Sequence, residues 1–183
     1  IYASISGFGQ TGPDAAKGGF DLVAQGMSGI MSVTGQPDGP PVKAGVPITD
    51  LGAGLFALSG ILAALHWRAT SGRGQHIDTS LFEAGLALSV WEATEYFSGR
   101  GIPARLGSAH RMVAPYQAFR CADGFINVGA ANDRTFARFA ALEQRQPRRR
   151  RRPVLIVLRH AIVIHDTIHN DQRAPHIERR DPR

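Results

Sequence analysis

The stretch VPITDLGAGLFALSGILAALHWR, residues 46–68, constrains the fold more than any other part of the chain. Its long apolar run, rich in small residues, predicts a helix over 51–70. A single carboxylate, Asp50, stands at the mouth of that run, with Pro47 before it and Gly52 and Gly54 within the next turn. Aspartate directly before an apolar periodic run predicts an N-cap, its side chain accepting a hydrogen bond from a free N–H of the first turn. A second role is open to the same group. Aspartate carboxylates can attack activated acyl groups and carry them covalently, and flanking glycines let a bulky acyl donor approach the backbone. The two roles are compatible, because the N–H groups and dipole at a helix N-terminus hold a carboxylate ionised and a nucleophile must be ionised.

At 183 residues the chain is long enough for one domain with a real core. One cysteine, Cys121, excludes an internal disulfide framework and fits a reducing compartment, so a cytoplasmic location is expected. Nothing beside Cys121 marks it as an activated thiol. The chain opens without a basic-then-apolar leader, and the near-apolar run 51–65 is shorter than the roughly 20 residues that span a bilayer. No membrane partner is expected.

The net charge of +6 suggests nucleic acid until it is located. Residues 143–183 hold 11 arginines, no lysine and 5 acidic residues, so residues 1–142 are neutral overall. All 21 glycines lie at or before Gly129. Two compositions therefore meet near Leu142, and the chain divides into a domain over 1–142 and an arginine-rich tail over 143–183, read as out of frame or disordered. Arg148 to Arg152 form the kind of run that contacts phosphate backbones, yet no aromatic residue is interleaved for stacking. Of His160, His165 and His169 only the last two have helical spacing, and no thiolate joins them. Neither a nucleic-acid partner nor a metal site is expected.

Along the domain, IYASIS at 1–6 reads as a buried strand, and GFGQTGP at 7–13 as a glycine loop leaving its C-terminal end, where open α/β sheets place ligands. Residues 20–31 carry apolar side chains at helical spacing. A Pro/Gly-rich loop at 34–45 leads to Pro47. After the long helix come a glycine turn at 71–75, a short strand over 76–81 and a helix over 81–97. Two strands over 114–119 and 124–130, joined through Ala122, Asp123 and Gly124, form a hairpin. Asn132 or Asp133 caps a last helix to Leu142.

The ordered string GFGQTGP, GGFD, QGMSG, TGQPDGPP, PITDLGAG and SGRGQ closely resembles the family III CoA transferases, also called the CaiB/BaiF family. The resemblance implies an α/β fold with a Rossmann-like large domain and a smaller domain, an interlocked homodimer in the complete protein, and only part of that fold in this chain. It implies that coenzyme A thioesters are substrates and that no cofactor is permanently bound. Asp50 is the residue at the family's catalytic position, where the carboxylate forms first a mixed anhydride and then an aspartyl-CoA thioester. Lys17, Gly18, Gly19 and Phe20 fall where family members line the CoA channel.

Related acyl-CoA racemases place a histidine in a GHD motif where this chain has GFD, so Phe20 leaves the second acid/base of a racemase missing. The segment GSAHRMVAPYQAF at 107–119 most resembles transferases that use succinyl-CoA and dicarboxylates, with His110 as a candidate substrate contact. The family's N-terminal portion has no counterpart here, nor has anything past the last helix. A fragment that does not turn over by itself is therefore the expectation. The alternatives are an α-methylacyl-CoA racemase or epimerase of the same family, and a non-catalytic remnant whose basic tail binds nucleic acid.

Overall fold

In a computed structural model of the chain, which describes residues 1–144, strand β1 (Tyr2–Ser6) and strand β2 (His76–Ser80) lie side by side in parallel, Tyr2 opposite His76 and Ser6 opposite Ser80. Parallel strands need a long crossover. The residues between them supply helices α1 (Asp21–Met27), α2 (Ile30–Val33) and α3 (Ile48–Ser71). Helices α4 (Leu81–Leu88) and α5 (Val90–Glu95) come after β2, and a wide turn over Tyr96–Arg100 closes this part. The described residues divide into two units, Ile1–Ser108 and a second that begins at Ala109. The second unit holds an antiparallel hairpin of β3 (Tyr116–Arg120) and β4 (Phe125–Gly129), then helix α6 (Asp133–Gln144). Its core is Cys121, Ile126 and Val128, with Phe119 and Phe139 packed against them. Asn132 caps α6: its side chain accepts from the Thr135 N–H at 2.9 Å.

The expected single helix over 20–31 is two helices. Gly29 adopts φ 87°, a left-handed conformation that breaks the helical path between α1 and α2 and suits a residue without Cβ. The helix expected over 81–97 is likewise interrupted, at Ser89, whose hydroxyl donates to the Gly85 and Leu86 carbonyls. Strand β1 is not the buried strand its alternation suggested: Tyr2 is 71% exposed and Ile5 52%. Its one ladder partner among the described residues is β2, and α3 packs against the pair.

Helix α3 is the hub of the first unit. It packs against β1, β2, α1 and α4, and its buried positions are all small: Thr49, Gly52, Ala53, Ala57 and Ala64. Ala53 and Ala84 meet in a cluster with Ala24 and Leu81. A Cβ on Gly60 would stand 2.8 Å from Ile77 Cγ2, and one on Gly52 would stand 3.0 Å from Leu88 Cδ1. Small residues thus let α3 lie close upon β2 and α4. At 24 residues α3 is long and apolar enough to cross a membrane, longer than the run 51–65 suggested, but this face is packed within the unit. The opposite face carries Leu51, Leu55, Leu58 and Leu62, all more than half exposed. Enlarging Ala53 to Leu is therefore expected to cost about 2–3 kcal/mol by overpacking. Leu58→Ala on the open face should cost less than about 0.5 kcal/mol. Urea unfolding of the two variants measures both.

Candidate active site

The glycine loop begins where β1 ends, as expected. Gly9 sits at φ 89° with its N–H on the Ser6 hydroxyl at 3.0 Å, and the Gln10 N–H donates to Asp78 Oδ2 at 2.8 Å. Asp78 belongs to β2, so the second strand ties down the loop that leaves the first. The loop in turn meets the KGGFD segment: the backbones of Gly7 and Gly19 cross so closely that a Cβ on either would collide with the Cα of the other. This crossing fixes where Phe20 and Asp21 begin α1.

Asp21 links α1 to the start of α3. Its Oδ1 accepts the Thr49 N–H at 3.0 Å and the Thr49 hydroxyl at 2.8 Å, and its Oδ2 accepts the Gln25 side-chain amide at 2.6 Å. The Asp50 backbone N–H also favours the charged form of the Asp21 carboxyl. Gln25 is fully buried, and its Oε1 accepts the Ala44 N–H at 2.8 Å, which holds the loop arriving at Pro47. Desolvation, the largest single influence on the Asp21 carboxyl, pushes its pKa up. The hydrogen bonds from Thr49, Gln25 and the Asp50 N–H together outweigh it and leave the pKa below the ordinary carboxylate value. A depressed folded-state pKa contributes stability above the unfolded value of about 3.9 and loses it as pH falls through the folded value. The stability difference between the native chain and Asp21→Asn, measured by urea unfolding, is therefore expected to be flat above about pH 5 and to shrink below about pH 4.

The N-cap reading of Asp50 is corrected by this arrangement. Helix α3 starts at Ile48, its N-cap is Pro47, and Asp50 lies inside the first turn. Proline offers no side-chain acceptor, and the free Thr49 N–H goes to Asp21 instead. The Asp50 side chain is thereby released from capping, and it is exposed. The two flanking glycines also have different tasks. Gly52 is buried against Leu88 and Ala84, so it serves helix packing rather than ligand approach. Gly54, one turn beyond Asp50 on the same side of the helix, has open space where a Cβ would be.

Of the other expected contacts, Lys17 forms an ion pair with Asp14 at 2.7 Å on an exposed turn, and Gly18 has open space around it. Phe20 is 74% exposed, so it is not a core aromatic of this unit. His110 belongs to the second unit, where its N–H donates to the Tyr116 carbonyl at 2.9 Å, its Nδ1 accepts from the Met112 N–H at 3.1 Å and its ring meets that of Tyr116. These are the bonds of a turn histidine. A cleft of about 220 Å³ lined by Phe56, Asp78, Ser80 and Glu83 includes none of the expected site residues. Its Asp78 holds Gln10, and its Glu83 accepts from Ser80 at the start of α4. The arginine run and the three tail histidines lie outside the described residues.

Asp21, Thr49, Gln25 and Asp78 were not singled out from the sequence. The spacing of Asp21 and Gln25, four residues apart on one helix, is a signal for their mutual bond. No local pattern announces a carboxylate that caps a different helix.

The family model for CoA-transferase family III matches residues 1–155. The succinate–glutarate CoA-transferase of Agrobacterium fabrum is 46% identical over 138 residues, covering 75% of this chain and 34% of that protein. The acetyl-CoA:oxalate CoA-transferase of Acetobacter aceti is 44% identical over 142 residues, covering 74% of this chain and 35% of that protein. Among solved structures, a CaiB/BaiF family protein from Brucella suis superposes with a TM-score of 0.68 at 42% identity, over 78% of this chain and 38% of the other. The chain thus spans about a third of the length of the curated relatives it matches.

Proposed function

The chain belongs to CoA-transferase family III, and from that premise we propose that it supplies the nucleophile-bearing segment of an enzyme that moves coenzyme A between an acyl-CoA donor and a carboxylic acid. The observation that carries the reading is Asp50: an exposed carboxylate in the first turn of α3, relieved of capping by Asp21, with bare backbone at Gly54 one turn along.

The Asp50 carboxylate attacks the thioester carbonyl of the donor and expels CoA as a thiolate, leaving a mixed anhydride. The thiolate attacks the aspartyl carbon of the anhydride, releasing the donor acid and leaving an aspartyl-CoA thioester. The acceptor carboxylate attacks that thioester, thiolate departs again, and its return to the acceptor's acyl carbon frees Asp50. No step needs a separate general base, because a carboxylate attacks without a proton to give up. The anhydride must be kept from water, and Phe20 and the leucines of α3 offer apolar surface near the nucleophile's end of the unit for that purpose. Lys17, Gly18, Gly19 and Phe20 are proposed to line the path of CoA. His110 is proposed to meet the acceptor carboxylate.

A dicarboxylate such as succinate or glutarate is the proposed acid class, supported by the Agrobacterium relative's name. A cytoplasmic, homodimeric enzyme completes the proposal. The racemase alternative lacks support, since Phe20 stands where its second acid/base belongs.

The test is a chimera in which residues 1–142 replace the matching stretch of the Agrobacterium enzyme. Acyl exchange between succinyl-CoA and glutarate is expected. Solvent deuterium entering the α carbon of a 2-methylacyl-CoA, without acyl exchange, would favour the racemase instead.

A further inference from the structure

We infer that Asp21 is the positioning residue for the nucleophile: it takes the capping place that Pro47 leaves empty and so fixes the turn of α3 that presents Asp50 outward. The inference rests on the reading of Asp50 as nucleophile. It draws its own support from the geometry of the two helices.

A helix start normally satisfies its free N–H groups with the residue just before it. Here that residue is a proline, and the Thr49 N–H reaches Asp21, which is the first residue of a different helix. A second bond, from the Thr49 hydroxyl to the same oxygen, fixes the angle at which α3 meets α1. Gln25 holds the other carboxylate oxygen and clamps the incoming loop through Ala44. Thr49 and Gln25 are both fully buried, and the Asp21 side chain that joins them is partly buried. Close packing supports them from behind: Gly85 leaves only enough room for Ser28 and Thr49, since a Cβ there would press on both.

The consequence is a division of labour between two aspartates. Were Asp50 to cap the helix itself, its oxygens would be tied to the N–H groups of its own turn and turned away from a substrate. With Asp21 in that place, the first turn is rigid and the Asp50 carboxylate is left free to attack. Asp21 touches no substrate in this scheme and acts through Thr49, the residue before the nucleophile.

Amide hydrogen exchange on the 183-residue chain tests the presentation directly. Asp21→Ala is expected to speed exchange at Thr49 by about tenfold. Asp21→Asn, which keeps an acceptor oxygen, should restore most of the protection at neutral pH. In the native chain the protection should fall below about pH 4, and in Asp21→Asn it should not. Equal exchange in the native and Ala chains, or loss spread evenly over the whole unit, would overturn the inference.

In the chimeric enzyme, Asp21→Ala should lower kcat about tenfold with KM for the acyl-CoA within twofold, and Asp21→Asn should recover most of the rate. An unchanged kcat in Asp21→Ala, alongside an inactive Asp50→Ala, would sink the positioning role and leave the nucleophile standing. An active Asp50→Ala would sink the nucleophile reading, and the role of Asp21 toward it would fall as well.

Discussion

Asp50→Ala is expected to lower acyl exchange in the chimeric enzyme by about 10⁴-fold or more, while binding of free CoA stays within about twofold. Removal of a covalent nucleophile leaves only what binding and surrounding dipoles contribute, and such losses are among the largest in enzyme mutagenesis. The binding half of the expectation comes from placement. Asp50 is in the first turn of α3, whereas the proposed CoA path runs over Lys17, Gly18, Gly19 and Phe20. Asp50→Asn should fail nearly as badly as Ala, because the amide keeps the shape and the hydrogen-bonding oxygen but lacks the nucleophilic charge. Steady-state exchange kinetics and isothermal titration with CoA measure the two halves.

The second large effect concerns the backbone crossing at Gly7 and Gly19. Gly19→Val is expected to destabilise the chain by about 3 kcal/mol or more, because a Cβ at either glycine would collide with the other's backbone. Backbone cannot turn aside as a flexible side chain can, so either the glycine loop or the start of α1 must move. A fall of roughly 10 °C in the thermal midpoint is expected. Gly18→Ala serves as the control: open space surrounds Gly18, so its midpoint should shift by no more than about 2 °C. Since the same crossing sets the position of Asp21, a Gly19 variant that still folds should also show quickened exchange at Thr49.

The elements that the chain builds from regular periodicity were legible in its sequence. The two parallel strands, the hairpin and α6 occur where alternation, turn residues or helical spacing placed them, and α3 does so apart from its start at Ile48. Misreadings came where backbone geometry rather than composition decides. The break between α1 and α2 depends on one glycine turning to positive φ, and a glycine inside an apolar pattern is equally compatible with an unbroken helix. The interruption at Ser89 depends on a serine hydroxyl finding carbonyls of the preceding turn. The exposure of β1 depends on which neighbours a strand has, which its own alternation does not encode.

Sequence and resemblance singled out Asp50, and the structure changed the account of how the residue is held. The error had a physical cause. An aspartate before an apolar run is a good cap when the residue at the N-cap position is its own, but here the helix begins at Ile48 and its cap is borrowed from α1. Spacing between residues 21 and 49 carries no sign of that contact. Gly52 and Gly54 show the same boundary of sequence reasoning. They are two residues apart, so they point to different sides of α3; one is packed against α4 and the other is open. Phe20 illustrates the converse, since an exposed aromatic and a core aromatic look alike in sequence, and the ring is 74% exposed.

Hydroxylamine trapping during turnover tests the central claim most directly. Hydroxylamine attacks an aspartyl thioester, or an anhydride at its aspartyl carbon, and leaves the aspartate as its hydroxamate. With the chimeric enzyme, succinyl-CoA and hydroxylamine together, peptide mass spectrometry is predicted to find the hydroxamate at Asp50, with activity lost in proportion to the modification and neither change occurring without the acyl-CoA. Sustained acyl exchange by an enzyme whose Asp50 stays unmodified under those conditions would contradict the covalent account.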